Sequence, residues 1–301
     1  MELRSAFRPR TAVRAGLLSW ILTSLLVVTI GADPYAAAAS PLQLHGALQR
    51  TASAAGGPGI GIVSHRGAAA VAPENTLAAF RIAIEQGVDF VETDVRLTAD
   101  GVPVLMHDPD LDRTTDGHGP LSARTLEQVR ALDAGGWFDA AFAGEPVPTL
   151  EEFVALLEPA PTRAFIELKG EWAPEQIGSV LQLLRDRQLV GRVVLESFEL
   201  PNLSALREQA PEFARMLLTR EFGDAVLQAA VELQVSAVGA REELFAARPA
   251  FVARIREAGI GAVVYTLNTP AKWDRAAAQG IDFIITDDPV SLAAWRAERA
   301  G

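Results

Sequence analysis

The sequence predicts an α/β fold, a (β/α)8 TIM barrel with a small insertion after the second barrel strand, and three observations lead to it. Short β-like segments alternate with amphipathic helical segments from about Gly59 onward, as in parallel βαβ units. One of nine recognisable strands fits as a hairpin partner, which leaves eight for a closed barrel. Roughly 260 residues follow the N-terminal leader, the usual size of this fold. An open doubly wound sheet is the second alternative, disfavoured because no glycine-rich phosphate loop follows a strand.

The predicted strands are short, rich in apolar and β-branched residues and mostly followed by a helical pattern. They cover residues 60–65, 90–95, 102–107, 164–169, 193–197, 214–218, 235–238, 262–267 and 283–286. Helices are predicted over residues 74–86, 174–188, 203–209, 224–233, 242–257 and 270–279, several with a glycine soon after the last turn. Strand followed by helix, repeated along the chain, indicates a parallel sheet.

The connection between the second and third strands is too short for a helix. It contains Asp100-Gly101, a hairpin turn signal. We therefore expect residues 102–107 to fold back along residues 90–95, which would bring His107 near Glu92. This return strand then lies outside the count of eight.

The segment after the return strand, about residues 108–149, interrupts the alternation of strands and helices. It has one clear helical pattern, over residues 123–132. Inserts of this length are usually functional lids or small subdomains. We assign residues 59–301 to one barrel domain that includes this insertion.

The N-terminal residues differ from the rest of the chain. Residues 1–40 are first basic, then apolar, then rich in small residues, which is typical of a secretory signal. The apolar run is also at the lower limit of a membrane-spanning length, so an uncleaved anchor is the alternative. Residues 41–58 are interpreted as a linker. Either alternative predicts an exported protein, periplasmic or secreted.

Composition limits the chemistry and the partners. The chain has no cysteine, which excludes disulfides, thiolate metal sites and a cysteine nucleophile. Its formal net charge of −11 disfavours nucleic acid and anionic lipid surfaces as partners. We therefore expect a small-molecule substrate, no nucleic acid, and no membrane contact beyond a possible N-terminal anchor. Nothing in the sequence predicts a protein partner.

Polar residues accumulate at the carboxyl ends of the predicted strands, which meet at one mouth of a barrel. They are His65, Arg66, Glu92, Asp94, His107, Asp108, Glu167, Lys169, Ser197, Asn268 and Asp287. Stability does not require charges at these positions. Together they indicate a functional site.

Three acids of this set fit a divalent cation. Glu92 and Asp94 are two positions apart in one strand and project to the same face, where their charges repel. With Glu167 from a neighbouring strand they offer the hard oxygen ligands that Mg²⁺ or Ca²⁺ prefers. The alternative is a solvated strand end or a salt bridge to Arg96.

Two histidines and two cations complete the candidate site. Histidine as a residue type titrates near neutrality, so the pair His65 and His107 can divide acid and base roles, although a lone strand-end histidine is usually structural. Arg66 has the planar fork suited to phosphate. Lys169, one of only two lysines in the chain, could touch a phosphate oxygen or help to hold the carboxylates. The alternative for both cations is simple neutralisation of neighbouring acids.

An ordered set of short motifs resembles the glycerophosphodiester phosphodiesterase family. It comprises His65-Arg66-Gly67, Pro73-Glu74-Asn75-Thr76, Glu92-Thr93-Asp94-Val95, Asp100-Gly101 and His107-Asp108, followed by the segments GGWFDAAFAGEPVPTLEE, FIELKG, SFE, YTLNT and GIDFIITDDP. The resemblance spans about residues 61–289. One departure is Tyr265, where the family often carries Trp, and it concerns only how the alcohol or glycerol group is packed.

The resemblance implies a TIM barrel, a divalent cation, and hydrolysis of glycerophosphodiesters to sn-glycerol 3-phosphate and an alcohol. By position it implies the following roles: Glu92, Asp94 and Glu167 as metal ligands, His65 and His107 as the acid/base pair, and Arg66 and Lys169 as phosphate contacts. It places Glu74 at the mouth near His65 without a defined role.

Two other functions are kept as alternatives. A related phospholipase of the D-type or cyclising kind, acting on lysolipids, would need an apolar rim at the mouth. Trp137, Phe138 and Phe142 could supply that rim or form the insert's own core. A non-catalytic glycerophosphodiester-binding protein is the third hypothesis, and it leaves a paired acid and base without a use.

Overall fold

The computed structural model of the protein describes residues 59–299, so the predicted leader and linker lie outside the described residues. The strands are β1 (Gly61–Ser64), β2 (Phe90–Leu97), β3 (Pro103–Leu105), β4 (Arg163–Leu168), β5 (Val193–Ser197), β6 (Ala214–Thr219), β7 (Ala237–Arg241), β8 (Gly261–Tyr265) and β9 (Phe283–Thr286). Each of them corresponds to a strand expected from the sequence.

The helices of the described part of the chain connect these strands. They are α1 (Leu77–Glu85), α2 (Leu126–Arg130), α3 (Leu150–Leu157), α4 (Pro174–Asp186), α5 (Leu200–Gln209), α6 (Asp224–Glu232), α7 (Glu242–Ala247), α8 (Pro249–Glu257), α9 (Pro270–Ala278) and α10 (Pro289–Glu298). Within residues 59–299, no helix has the length and apolar character needed to cross a bilayer.

The parallel strands close into a barrel. The hydrogen-bonded order runs β1, β9, β8, β7, β6, β5, β4, β2, and a parallel pairing of β1 with β2 completes the ring. Among the strands of the described residues, β3 pairs with β2 alone, antiparallel, with Val95 opposite Leu105. The eight-stranded barrel and the separate return strand are therefore confirmed.

Two apolar layers hold the barrel together. The larger lies between the strands and the surrounding helices and includes Val91 and Val95 of β2. The smaller fills the barrel interior, where the rings of Phe90, Phe165 and Phe283 pack with centroids 5.0 to 6.3 Å apart. Strand side chains alternate in direction, so the residue two positions after each of these rings also faces the barrel interior. It lies nearer the carboxyl-end mouth of the barrel.

Several predicted helices have different bounds in the structure, such as the one predicted over residues 203–209, which begins at Leu200. Single residues explain two of the differences. The first predicted helix begins at Leu77 and not at residue 74, because the Thr76 hydroxyl caps it by accepting a hydrogen bond from the Ala79 amide. The helix predicted over residues 242–257 is divided into α7 and α8. Pro249 opens the second one, since proline lacks an amide hydrogen and is accepted only in the first turn of a helix.

The insertion after β3 forms a small subdomain. Its core is made of the buried residues Val104, Met106, Leu111, Leu121, Val129, Ala134 and Val147. Arg130 of α2 donates two hydrogen bonds, each 2.9 Å long, to the Glu152 carboxylate of α3 and so attaches the insert to the barrel. The helix predicted over residues 123–132 is limited to Leu126–Arg130.

Candidate active site

The carboxyl ends of the barrel strands surround a cavity of about 810 Å³. The seven residues to which the family resemblance gave a role all line it, namely His65, Arg66, Glu92, Asp94, His107, Glu167 and Lys169. Asp108, Ser197, Asn268 and Asp287, the other members of the strand-end set, are not in the lining. Glu196, Phe198, Leu218, Arg220, Arg241, Glu243, Leu244, Tyr265, Thr266 and Ile285 complete the lining. The structure thus brings the candidate residues together, while their individual roles stay predictions.

Strand register explains why the acids converge. Glu92 and Asp94 follow Phe90 on the inner face of β2, and both are nearly inaccessible to solvent. Asp94 stands opposite Glu167 of β4 in the parallel pairing, and Glu167 stands opposite Glu196 of β5. Neighbouring positions on one face of a sheet bring these carboxylates side by side.

Asp94 is the most strongly neutralised of these acids. Its carboxylate accepts a 2.9 Å hydrogen bond from Asn75 Nδ2 and forms ion pairs with Lys169 Nζ at 3.0 Å and Arg66 Nε at 3.1 Å. Burial acts to raise the pKa of Asp94, but the charges of Lys169 and Arg66 outweigh it and hold the pKa well below its ordinary value. Asp94 is therefore ionised at neutral pH.

Glu92, Glu167 and Glu196 form a second group, in which one carboxylate oxygen from each lies within 4.8 Å of the others. Burial and the neighbouring carboxylates raise the pKa values of all three, and that of Glu167 reaches about 7. Glu196 is absent from the sequence-based set. The alternation of the strand Val193–Ser197 could have revealed it, because Val194 faces inward and Glu196 must do the same.

His65 is fixed by a carboxylate from the last strand end. Its Nδ1 lies 2.6 Å from Asp287 Oδ1, and because a carboxylate can only accept, Nδ1 carries the proton. Asn268 Nδ2 donates a 2.6 Å hydrogen bond to the other oxygen of Asp287. The remaining ring nitrogen, Nε2, is left for a ligand.

His107 has the same kind of partner, supplied by the next residue in the chain. Its Nδ1 donates to Asp108 Oδ1 at 2.6 Å, and Arg113 Nε of the insert donates to Asp108 Oδ2 at 2.6 Å. Burial lowers the pKa of His107 below its ordinary value, although the Asp94 charge opposes that effect. The neutral imidazole is thus favoured at pH 7.

Comparison with known proteins identifies the family of this site. The profile of the glycerophosphoryl diester phosphodiesterase family matches residues 65–291. The chain belongs to this family. A glycerophosphodiester phosphodiesterase of Caldanaerobacter subterraneus subsp. tengcongensis is 34% identical over 233 residues, which cover 77% of this chain and 95% of the relative.

Solved structures of similar proteins agree. A phosphodiesterase of Oleispira antarctica in complex with the product sn-glycerol-3-phosphate superimposes with a TM-score of 0.73 at 29% identity, over 78% of this chain and 96% of the other. A glycerophosphodiester phosphodiesterase of Agrobacterium tumefaciens gives a TM-score of 0.68 at 34% identity, over 78% and 99%. This protein is accordingly a phosphoric diester hydrolase, of a family that depends on a divalent metal.

The charges of this phosphodiesterase site fit one divalent cation. The cavity holds four buried carboxylates and two permanent cations at its acidic side: Glu92, Asp94, Glu167, Glu196, Arg66 and Lys169. Ionised together they leave two negative charges without a counterion, and burying unpaired charge is costly. A single divalent cation that prefers oxygen ligands would balance these two charges.

The Pro73-Glu74-Asn75-Thr76 motif holds residues of the site in place through hydrogen bonds. Asn75 Oδ1 accepts from the Thr93 hydroxyl at 2.9 Å while its Nδ2 holds Asp94. Glu74, to which the sequence assigned no role, accepts a 2.8 Å hydrogen bond from Arg66 Nη1 and two from Arg113. The insert is thereby tied to the residue that follows His65.

The structure excludes both alternative explanations for the acids, the solvated strand end and the salt bridge to Arg96. Glu92 and Asp94 are 2% and 1% exposed, so they are not a solvated strand end. Arg96 is not their ion-pair partner among the described residues, because its Nε donates to the His107 carbonyl at 2.8 Å. Lys169 Nζ also contacts Glu167 Oε2 at 2.7 Å, so it helps to hold the carboxylates.

Two further groups lie apart from the cavity. The Ser197 hydroxyl, which belonged to the strand-end set, is buried on the opposite face of β5 and donates to the Leu168 carbonyl at 2.9 Å. In the insert, Phe138 packs edge-on against Trp137 and Phe142, at 5.7 and 5.8 Å between centroids. None of the three aromatic residues lines the cavity. These ring contacts favour an aromatic group internal to the insert over the apolar rim that a D-type or cyclising phospholipase would need.

Proposed function

We propose that the protein hydrolyses glycerophosphodiesters to sn-glycerol 3-phosphate and an alcohol, with one divalent cation, Mg²⁺ or Ca²⁺, held by Glu92, Asp94 and Glu167. His65 and His107 are the acid/base pair. The observation that carries this proposal is that both imidazoles, each fixed through Nδ1 by a carboxylate, line the same cavity as the buried acids. A site that only bound its ligand would not need them.

The chain's own cations bind and orient the substrate. A phosphodiester carries one negative charge, which grows on the phosphoryl oxygens in the transition state. Arg66 and Lys169 line the cavity with their positive groups and attract those oxygens. When bound, the divalent cation would add its own electrostatic stabilisation of that charge.

The two histidines move the protons. The neutral form of His107, favoured by burial, can accept a proton from the nucleophile, either water or the neighbouring glycerol hydroxyl through a transient cyclic phosphate. His65 gives a proton to the departing alkoxide, and Asp287 stabilises the charged ring before transfer. If a cyclic phosphate forms, the two roles exchange in the second step.

The test is release of sn-glycerol 3-phosphate from a panel of glycerophosphodiesters by the cation-stripped protein. We expect no activity in EDTA and recovery with either Mg²⁺ or Ca²⁺. A lysolipid included as a parallel substrate should be cleaved much more slowly than glycerophosphocholine. Intact substrate after long incubation with excess of both cations would overturn the proposal in favour of a binding protein.

We also propose that the protein is exported, on the basis of the basic, apolar and small-residue order of residues 1–40. The N-terminal sequence of the protein recovered from the periplasm or medium tests this. A new N-terminus near residue 40 supports a cleaved signal, and an intact N-terminus in the membrane fraction supports an anchor. Recovery in the cytoplasm alone would contradict export.

A further inference from the structure

We propose that Glu196 is an additional ligand of the divalent cation and that it biases the site toward Ca²⁺ over Mg²⁺. The inference deepens the proposed function, because it concerns the cation on which that function rests. It assigns a role to a buried acid that the Glu92, Asp94 and Glu167 set does not include.

The position of Glu196 is set by the barrel itself. β5 lies beside β4, and the parallel register places Glu196 directly opposite Glu167. Both side chains face the barrel interior, each above an inward apolar residue of its own strand. One oxygen of Glu196 lies within 4.8 Å of oxygens of both Glu92 and Glu167, a spacing that a single ion can bridge.

Glu196 differs from Glu92 and Glu167 in its hydrogen bonding. Glu92 accepts a 2.9 Å bond from the Arg66 amide, and Glu167 accepts from Lys169 Nζ. Glu196 is 1% exposed, and its Oε2 has no hydrogen-bond partner among residues 59–299. A buried carboxylate oxygen without a donor is strongly disfavoured, so this one requires a partner that the chain does not supply.

A cation in this position satisfies the unpartnered oxygen and removes the repulsion among the three glutamates. The number of oxygen ligands then favours the larger ion. Ca²⁺ takes six to eight oxygens in a flexible arrangement, whereas Mg²⁺ requires an octahedral set and retains several waters. A fourth carboxylate therefore adds more to Ca²⁺ binding than to Mg²⁺ binding.

The experiment measures cation binding in the absence of substrate. The full-length protein, stripped with EDTA and dialysed, is titrated calorimetrically with CaCl₂ and separately with MgCl₂. We expect Glu196→Gln to weaken Ca²⁺ binding at least tenfold and Mg²⁺ binding by a clearly smaller factor. Glu243→Gln removes one charge from the same cavity outside the acidic group and should change neither Kd more than twofold.

One further variant and one unfolding measurement distinguish direct ligation of the cation from a general effect of charge and from misfolding. Glu196→Asp keeps the charge but withdraws the carboxylate, so a ligand role predicts weaker Ca²⁺ binding and a purely electrostatic role predicts no change. Thermal unfolding of Glu196→Gln should show a higher Tm than wild type in EDTA, because repulsion is relieved. The rise in Tm on adding Ca²⁺ should be smaller than for wild type.

Ca²⁺ binding by Glu196→Gln within twofold of wild type would overturn the ligand role. Equal weakening of Ca²⁺ and Mg²⁺ would overturn the selectivity. A lower Tm in EDTA with unchanged Ca²⁺ affinity would make Glu196 a structural residue. These results are independent of the proposed reaction, since glycerophosphodiesters are absent from every measurement.

Discussion

Nδ1 of His65 lies 2.6 Å from Oδ1 of Asp287, although the two residues are separated by 222 positions in the chain. β1 and β9 are neighbours in the closed barrel, so the first and last strand ends meet at this contact. His107 obtains the equivalent contact from Asp108, the next residue. A carboxylate thus orients each imidazole through Nδ1. For His65 it comes from the other end of the barrel domain, and for His107 it comes from the adjacent residue.

Replacement of either histidine tests the acid/base pair. We expect His65→Ala and His107→Ala each to lower kcat about 10²–10⁴-fold, the usual contribution of a positioned acid or base. His118→Ala is the matched control, because His118 is an exposed residue of the insert that contacts Asp112. Activity is measured at saturating cation. A variant of His65 or His107 within about tenfold of wild type would refute its role.

Asp287 is expected to act through His65 as a positioning residue. Asp287→Asn keeps the size of the side chain but removes the charge that stabilises the protonated ring. We expect kcat to fall about 10–100-fold with little change in KM. Asp224→Asn, at an exposed ion pair with Arg254, is the control and should leave kcat unchanged. An unchanged kcat in Asp287→Asn would contradict a role for Asp287 in positioning His65.

Lys169 and Lys272 provide a matched pair, since they are the only lysines of the chain. Lys169→Met removes the positive charge between Asp94 and Glu167, and with it the proposed contact for phosphate oxygens. We expect kcat/KM to fall about 10²-fold or more. Lys272→Met removes a lysine that faces Glu242 outside the cavity and should retain nearly full activity. Equal rates for the two variants would contradict a role for Lys169 in the reaction.

Arg113 gives a pH-dependent contribution to stability. Its hydrogen bond lowers the pKa of Asp108 to about 2, and it also helps to lower the pKa of Glu74 against the opposing effect of burial. A depressed folded-state pKa stabilises the fold above the unfolded-state pKa, and that stability is lost as pH falls through the folded value. Arg113→Met should therefore cost about 1 kcal/mol at pH 7, because Arg113 is partly screened by solvent.

The difference between Arg113→Met and wild type should shrink as pH falls from about 4 to about 2. Urea unfolding in EDTA measures it without a contribution from bound cation. Arg254→Met is the control, with a side chain 45% exposed against 44% for Arg113, but its partner Asp224 is almost fully exposed. We expect Arg254→Met to leave the free energy of unfolding nearly unchanged. A constant difference at every pH would contradict the ionic origin.

Sequence patterns predicted the strands because strand identity depends on local composition and alternation. The Asp100-Gly101 turn was sufficient to separate the return strand from the barrel, as its antiparallel pairing confirms. Helix bounds were less accurate where a single residue decides them. Thr76 delays the start of α1 by capping it, and Pro249 divides the helix expected over residues 242–257.

The sequence by itself determined the barrel, the family and seven of the residues that line the cavity, because those seven lie in motifs at strand ends and all strand ends of a parallel barrel share one mouth. Only the tertiary structure decided which groups contact each other. Asp287 reaches His65 through barrel closure, Arg113 reaches Glu74 from the insert, and Glu196 joins the acids through strand register. Such contacts depend on packing between distant segments, and no local pattern in the chain encodes their distances.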